Sequence, residues 1–192
     1  MNIGLDLDNV ITNFDFGLLS AFLKEDKLKR NSGIINKNAE YISHGMFDWT
    51  KQEIEDFYAS NMENLSATLH PRYNCKKVID KLMQQGHKIY IVTNRVAPHY
   101  KNAKQTTSTW LMQHKINYTN LVFAKGKDKT DECKQLKIDV MVDDLFDECK
   151  NMAQNGIRCV MMQTKFNKHH KKEILTATSW KNLYSIICGM KK

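Results

Sequence analysis

Two aspartates separated by one residue close the first apolar run of this chain: in GLDLDNVITNF, Asp6 and Asp8 follow a stretch from Met1 that reads as a short strand. A strand buried on both faces tolerates carboxylates only at its end, unless a cation pairs with them. A second pair, Asp143 and Asp144, closes another apolar run, IDVMV. Side chains alternate along extended backbone, so Asp6 and Asp8 point the same way if the strand geometry continues through them. If both pairs meet, three or four carboxylates crowd together and repel. Hard oxygen donors with room for water are the ligand set Mg2+ prefers. Ion pairing with nearby lysines is the alternative these residue types leave open. Thr93-Asn94-Arg95 follows KIYIV, and Lys125, Lys127 and Lys129 stand in AKGKDKT.

Those residues form a site only if the fold gathers them. Five apolar or β-branched runs read as strands: Ile3 to Asp6, Lys88 to Thr93, Leu121 to Phe123, Ile138 to Val142 and Arg158 to Gln163. Helical patterns lie between them, over Cys75 to Gln85 (stopping at Gly86), Thr106 to His114, Asp131 to Leu136, Asp147 to Asn155 and Ser179 to Cys188. The alternation predicts an α/β fold, a Rossmann-like parallel sheet with helices on both faces. In such sheets ligands bind outside the carboxyl ends of the strands, where the acids, Thr93 and the lysines fall. Some sixty residues between the first strand and Cys75 exceed what a crossover needs. They contain helical patterns over Phe14 to Lys24 and Thr50 to Asn61, the latter opened by a capping-box pair, Thr50 and Glu53. This predicts a small helical cap over 14–72, inserted into a core formed by 1–13 and 73–192.

At 192 residues, 42% hydrophobic and 26% charged, the chain can bury one full core with an insertion, which excludes two complete domains and a disordered chain. No apolar run approaches a membrane span, and no leader pattern precedes the first strand, so a cytoplasmic location is expected. The five cysteines show no metal-ligand spacing and are expected to be reduced. A formal charge of +8 raises the class of basic nucleic-acid-binding modules, whose acids would hold only a structural ion. The basic runs Lys24 to Arg30 and Lys165 to Lys172 read as solvated surface instead, and His169-His170 is expected to face solvent. A positive field also attracts small phosphorylated substrates.

GLDLDNVITNF, IVTNR, GKDKT and VMVDD, in that order, resemble the four motifs of the haloacid dehalogenase superfamily of phosphohydrolases. More narrowly, DLDNVITNFDFGLL, FDWTKQEIEDFY and the spacing from GKDKT to VMVDD look like the 5'(3')-deoxyribonucleotidase family and its bacterial nucleotidase branch. The resemblance implies a Mg2+-dependent phosphomonoester hydrolase, a phosphatase acting on nucleoside or deoxynucleoside monophosphates. Another small phosphorylated metabolite or a nucleic-acid 3'-phosphate is the alternative substrate. It implies Asp6 as the nucleophile that forms an aspartyl-phosphate, and Asp8 as general acid and then base, its backbone carbonyl on the metal. Thr93, Asn94 and Lys129 would hold the phosphate, and Asp143 and Asp144 would complete the metal site with Asp6 and Asp8. Phe14 matches an aromatic that contacts the base, and Phe47 and Trp49 are further candidates for stacking on it. Arg95 and Arg72 are candidate phosphate or sugar contacts. Asn9 stands where the superfamily commonly has Gly, and Asn is the non-glycine residue best able to take the left-handed turn required. The partner expected is a small phosphomonoester and neither a membrane nor nucleic acid; homodimer formation stays open.

GKDKT lacks the order and first glycine of a P-loop. A response-regulator receiver has paired acids at strand one and its acceptor at strand three, the reverse of this order. No G-x-S-x-G elbow supports Ser/His/Asp catalysis.

Overall fold

The computed structural model describes residues 1–125 and 128–190, so Gly126 and Lys127 of the GKDKT motif lie outside the described residues. The strands are β1 (Asn2–Leu5), β2 (Lys88–Thr93), β3 (Asn120–Phe123), β4 (Val140–Asp143), β5 (Arg158–Met162) and β6 (Thr176–Ala177). The helices are α1 (Phe14–Lys29), α2 (Lys51–Thr68), α3 (Cys75–Gln84), α4 (Ala103–Gln113), α5 (Thr130–Gln135), α6 (Phe146–Gln154) and α7 (Trp180–Gly189). The strands form one parallel sheet in the order β3-β2-β1-β4-β5-β6. β1 and β4 are neighbours despite their distance in sequence, and the strand order reverses there, where a crevice forms at the carboxyl edge.

Alternation along each strand divides the core. Ile3, Leu5, Ile89, Ile91, Val140 and Val142 face α3 and α7 through Val78, Ile79, Leu82, Leu183 and Ile187. Val92, Met141, Cys159 and Met161 face the other way, onto Cys133, Cys149 and Met152 of α5 and α6. β1 passes β4 closely at Gly4: a Cβ there would stand 2.5 Å from the Met141 sulfur, which would have to shift. Burying these side chains stabilises the sheet by roughly 1.5–3 kcal/mol for each Leu, Ile or Val.

Several boundaries move for tertiary reasons. Two residues, Thr176 and Ala177, add a sixth strand beside Met161 and Met162, too short to leave a periodic signal. β4 begins at Val140, not Ile138, because the Ile138 N–H closes the end of α5 on the Cys133 carbonyl at 2.9 Å. α1 continues to Lys29, with a Lys29–Glu25 pair at 3.0 Å on its last turn, and α2 runs to Thr68. α4 starts at Ala103, ahead of Thr106, because Glu63 of α2 accepts from the Asn102 N–H at 2.8 Å and the Lys101 N–H at 3.2 Å. A carboxylate from another helix supplies the cap that the local sequence lacks.

Between β1 and α3, helices α1 and α2 close over an apolar cluster of Leu18, Phe22, Ile42, Met46, Phe47, Phe57 and Met62. The capping box forms: Thr50 Oγ1 accepts from the Glu53 N–H, and Glu53 Oε2 accepts from the Thr50 N–H at 2.8 Å. The chain re-enters the core at a Thr12–Pro71 bridge, and the Trp110 indole N–H donates to the Leu69 carbonyl at 2.7 Å. Among the described residues no helix is long and apolar enough to cross a membrane.

Candidate active site

Asp6 continues the ladder one residue past β1, its N–H donating to the Val142 carbonyl at 2.9 Å. That fixes its carboxylate beside the end of β4. The chain then leaves extended geometry: Ile11 and Thr12 both donate to the Leu7 carbonyl at 2.9 Å, and Asn9 takes φ 58°. The extended geometry on which a shared direction for Asp6 and Asp8 depends therefore ends before Asp8, though the two carboxylates remain close enough for Asp8 to raise the Asp6 carboxyl. The Asp8 carboxylate lies against Arg95, whose Nε donates at 2.9 Å and whose Nη2 also donates, and it accepts from Thr12 Oγ1 at 3.1 Å.

Carboxylate oxygens of Asp6, Asp143 and Asp144 lie within 4.8 Å of one another. Lys129, entering from the loop before α5 and 3% exposed, donates from Nζ to Asp6 Oδ1 at 2.5 Å and to Asp143 Oδ2 at 2.7 Å. Leu145 N–H holds the other Asp143 oxygen at 3.0 Å. Asn9 Nδ2 donates to Asp144 Oδ2 at 2.9 Å, and Asn167 Nδ2 secures the Asp144 carbonyl at 2.7 Å. One ammonium group thus bonds two of the three carboxylates, leaving two negative charges in the group when all are ionised. Burial pushes the Asp6 carboxyl up to about 7, with Asp143 and Asp8 adding to the rise against the opposing pull of Lys129. Burial, with Asp143 and Asp6 adding, also raises Asp144 well above the usual carboxylate range. For Lys129 burial opposes the charge, but Asp143 and Asp6 outweigh it and hold the ammonium above its ordinary range. Oxygen donors, close spacing and the two-charge excess fit a hard divalent cation.

Thr93 ends β2, the strand paired with β1, and is buried, while Asn94 beside it is exposed. Arg95 is 2% exposed and pairs with Asp8 through Nε and Nη2, while its Nη1 has no hydrogen-bond partner among the described residues. Arg72 donates from Nη1 to the Asn9 carbonyl and from Nη2 to the Gln163 carbonyl at 3.1 Å. Lys125 is exposed; Lys127 lies outside the described residues.

A cleft of about 390 Å³ opens beside Asp144 and is lined by Asn9, Phe14, Asp15, Tyr58 and Phe146 among others. Phe14 lines it. Phe47 and Trp49 do not. They pack against Phe22, whose ring stacks on Trp49 at 4.6 Å, and Trp49 Nε1 donates to Asp26 at 3.0 Å. Aromatic rings that can bury against one another do so before they present a face to solvent. Sequence reasoning missed the opposite wall, where Phe146 and His170 stack at 3.8 Å and His170 Nδ1 meets Glu173 at 2.7 Å. The adjacency of Phe146 to the second acid pair was the available signal. His169 is exposed as expected, but His170 is half-buried in the cleft wall.

The sequence profile of the family described as "5' nucleotidase, deoxy (Pyrimidine), cytosolic type C protein" matches residues 1–192. A Chlorobaculum tepidum protein whose name provisionally assigns it to the 5'(3')-deoxyribonucleotidases is 27% identical, over 96% of this chain and 89% of its own. A nucleotidase of Clostridium acetobutylicum is 25% identical, over 97% and 93%. Among solved structures, a haloacid dehalogenase-like hydrolase from Streptococcus pneumoniae superposes with a TM-score of 0.67 at 12% identity, covering 97% of each chain, a likeness of fold.

Proposed function

Since this chain belongs to the 5' nucleotidase, deoxy (pyrimidine), cytosolic type C family, within the haloacid dehalogenase phosphohydrolases, we propose that it hydrolyses (deoxy)nucleoside monophosphates through an aspartyl-phosphate on Asp6. The chain is a phosphatase of the nucleotidase type; substrate, intermediate and cation are the proposal. The observation that carries it is the meeting of Asp6, Asp143, Asp144 and Lys129 at the β1–β4 edge, with Asp8 held nearby by Arg95.

Asp6, Asp143 and Asp144 would hold Mg2+, which supplies charge neutralisation between an anionic nucleophile and an anionic phosphate. Asp6 Oδ attacks phosphorus, and the bond to the ester oxygen breaks. Asp8 delivers a proton to that oxygen, then accepts one from the water that cleaves the acyl phosphate. Lys129 holds Asp6 in place and offsets charge on the transferred group, and Thr93 with the Asn94 amide donates to its oxygens. Residues 14–72 serve as a cap, and Phe14, Tyr58 and Phe146 line the space left for the nucleoside.

The test is release of inorganic phosphate from a panel of nucleoside and deoxynucleoside monophosphates with Mg2+, beside sugar phosphates and 3'-phosphorylated oligonucleotides. Asp6→Asn is expected to lower turnover by on the order of 10⁴-fold while the folded state persists. Retained turnover in that variant removes Asp6 as nucleophile, and preference for another phosphomonoester removes the nucleotide assignment.

A further inference from the structure

Asn9 occupies a turn where glycine would suffice, yet its side chain spans two parts of the molecule. The Asp15 N–H donates to Asn9 Oδ1 at 2.8 Å, which fixes the orientation of the carboxamide. Its NH2 group then donates to two carboxylates, Asp15 Oδ1 and Asp144 Oδ2, each at 2.9 Å. We propose that Asn9 is a positioning residue whose carboxamide aims Asp144 at the cation site and anchors that ligand to the first turn of α1. The inference rests on the reading of Asp6, Asp143 and Asp144 as a divalent-cation site.

Lys129 bonds Asp6 and Asp143, and the third carboxylate of the group, Asp144, receives its hydrogen bond from Asn9. The difference has a chemical consequence. An ammonium at that point would neutralise Asp144 and compete with a metal for it, whereas a neutral amide orients the carboxylate and leaves its charge available. The backbone of the turn is held separately, by Arg72 on the Asn9 carbonyl and by the Trp180 indole N–H on the Val10 carbonyl at 2.9 Å. Removing the side chain therefore tests the amide without removing what secures the loop. Glycine accepts φ 58° without strain, so Asn9→Gly keeps the turn.

Mg2+ binding is measured by titration calorimetry on the full chain without substrate, for wild type, Asn9→Gly, Asp144→Asn and the double variant, beside metal-free melting temperatures. Asn9→Gly is expected to weaken Mg2+ binding by about 10–100-fold, the usual cost of losing an outer-shell partner. In the Asp144→Asn background the same change should add little, because its effect runs through that carboxylate. Unchanged Mg2+ affinity in Asn9→Gly overturns the inference, as does an equal loss with and without the Asp144 carboxylate. No Mg2+ uptake by the wild type overturns the cation reading itself, and the inference with it.

Discussion

The strand-end site and the helical segment between β1 and α3 both bury acids, and they satisfy them by opposite means. In the helical segment, Asp26 is 1% exposed and accepts from neutral donors, the Trp49 indole at 3.0 Å and the Gly33 N–H at 2.7 Å. Its surroundings, Phe22, Phe47, Trp49 and Phe57, are rings committed to one another. At the carboxyl edge of β1 and β4, three acids lie together with one lysine, which bonds Asp6 and Asp143, and two negative charges remain when all three acids are ionised. A buried group with all its partners supports the fold; a buried cluster short of positive charge is poised for a ligand.

Removing a partner on each side sharpens that contrast. Lys129→Met leaves Asp6 and Asp143 buried without their cation, and urea melts of the metal-free protein should show a loss of about 3–5 kcal/mol, with phosphatase turnover falling as well. Added Mg2+ should restore part of that stability. Phe22→Ala opens the rings of the helical segment and should cost a similar ~3–5 kcal/mol, yet Mg2+ affinity measured on the remaining folded protein should be unchanged. A matching loss of Mg2+ affinity would mean that the two regions form a single energetic unit.

Mg2+ itself should stabilise the wild type by about 2.7 kcal/mol at one hundred times its dissociation constant, reversed by a chelator. This effect is pH-dependent. Asp6 ionises at about 7 in the metal-free fold against 3.8 in an ordinary chain, so between those values the unfolded state is the one that has lost its proton. The group's contribution to metal-free stability therefore falls as pH rises through that window, and Mg2+, which needs the ionised carboxylate, binds more tightly as pH rises through 7. Calorimetry in buffers of different ionisation enthalpy should register the released proton.

The smallest effect belongs to the helical segment. Hydrogen bonds from Arg30 and from the Thr50 cap hold the Glu53 carboxyl down at about 2, against 4.5 ordinarily. Its contribution is complete above 4.5 and is lost as pH falls toward 2. Glu53→Gln should accordingly flatten the acid limb of α2 unfolding, followed by circular dichroism, without altering Mg2+ binding at neutral pH.

The sequence by itself determined the parallel α/β sheet, the presence of helices between β1 and α3 and the residue types at the strand ends. These are consequences of period, capping and the chemistry of short segments: the Thr50–Glu53 box and the runs ending at Asp6, Thr93 and Asp143 are each legible within a few residues. Tertiary structure decided which partners those residues took. Asp8 pairs with Arg95 because the chain bends after Leu7 and Arg95 follows the end of β2; Trp49 faces Phe22 and Asp26 because α1, α2 and the segment between them close on one another; His170 joins the cleft by stacking on Phe146. Local pattern fixes backbone geometry, but the direction and charge balance of a buried side chain depend on groups distant in sequence, and only packing brings those groups within hydrogen-bonding reach.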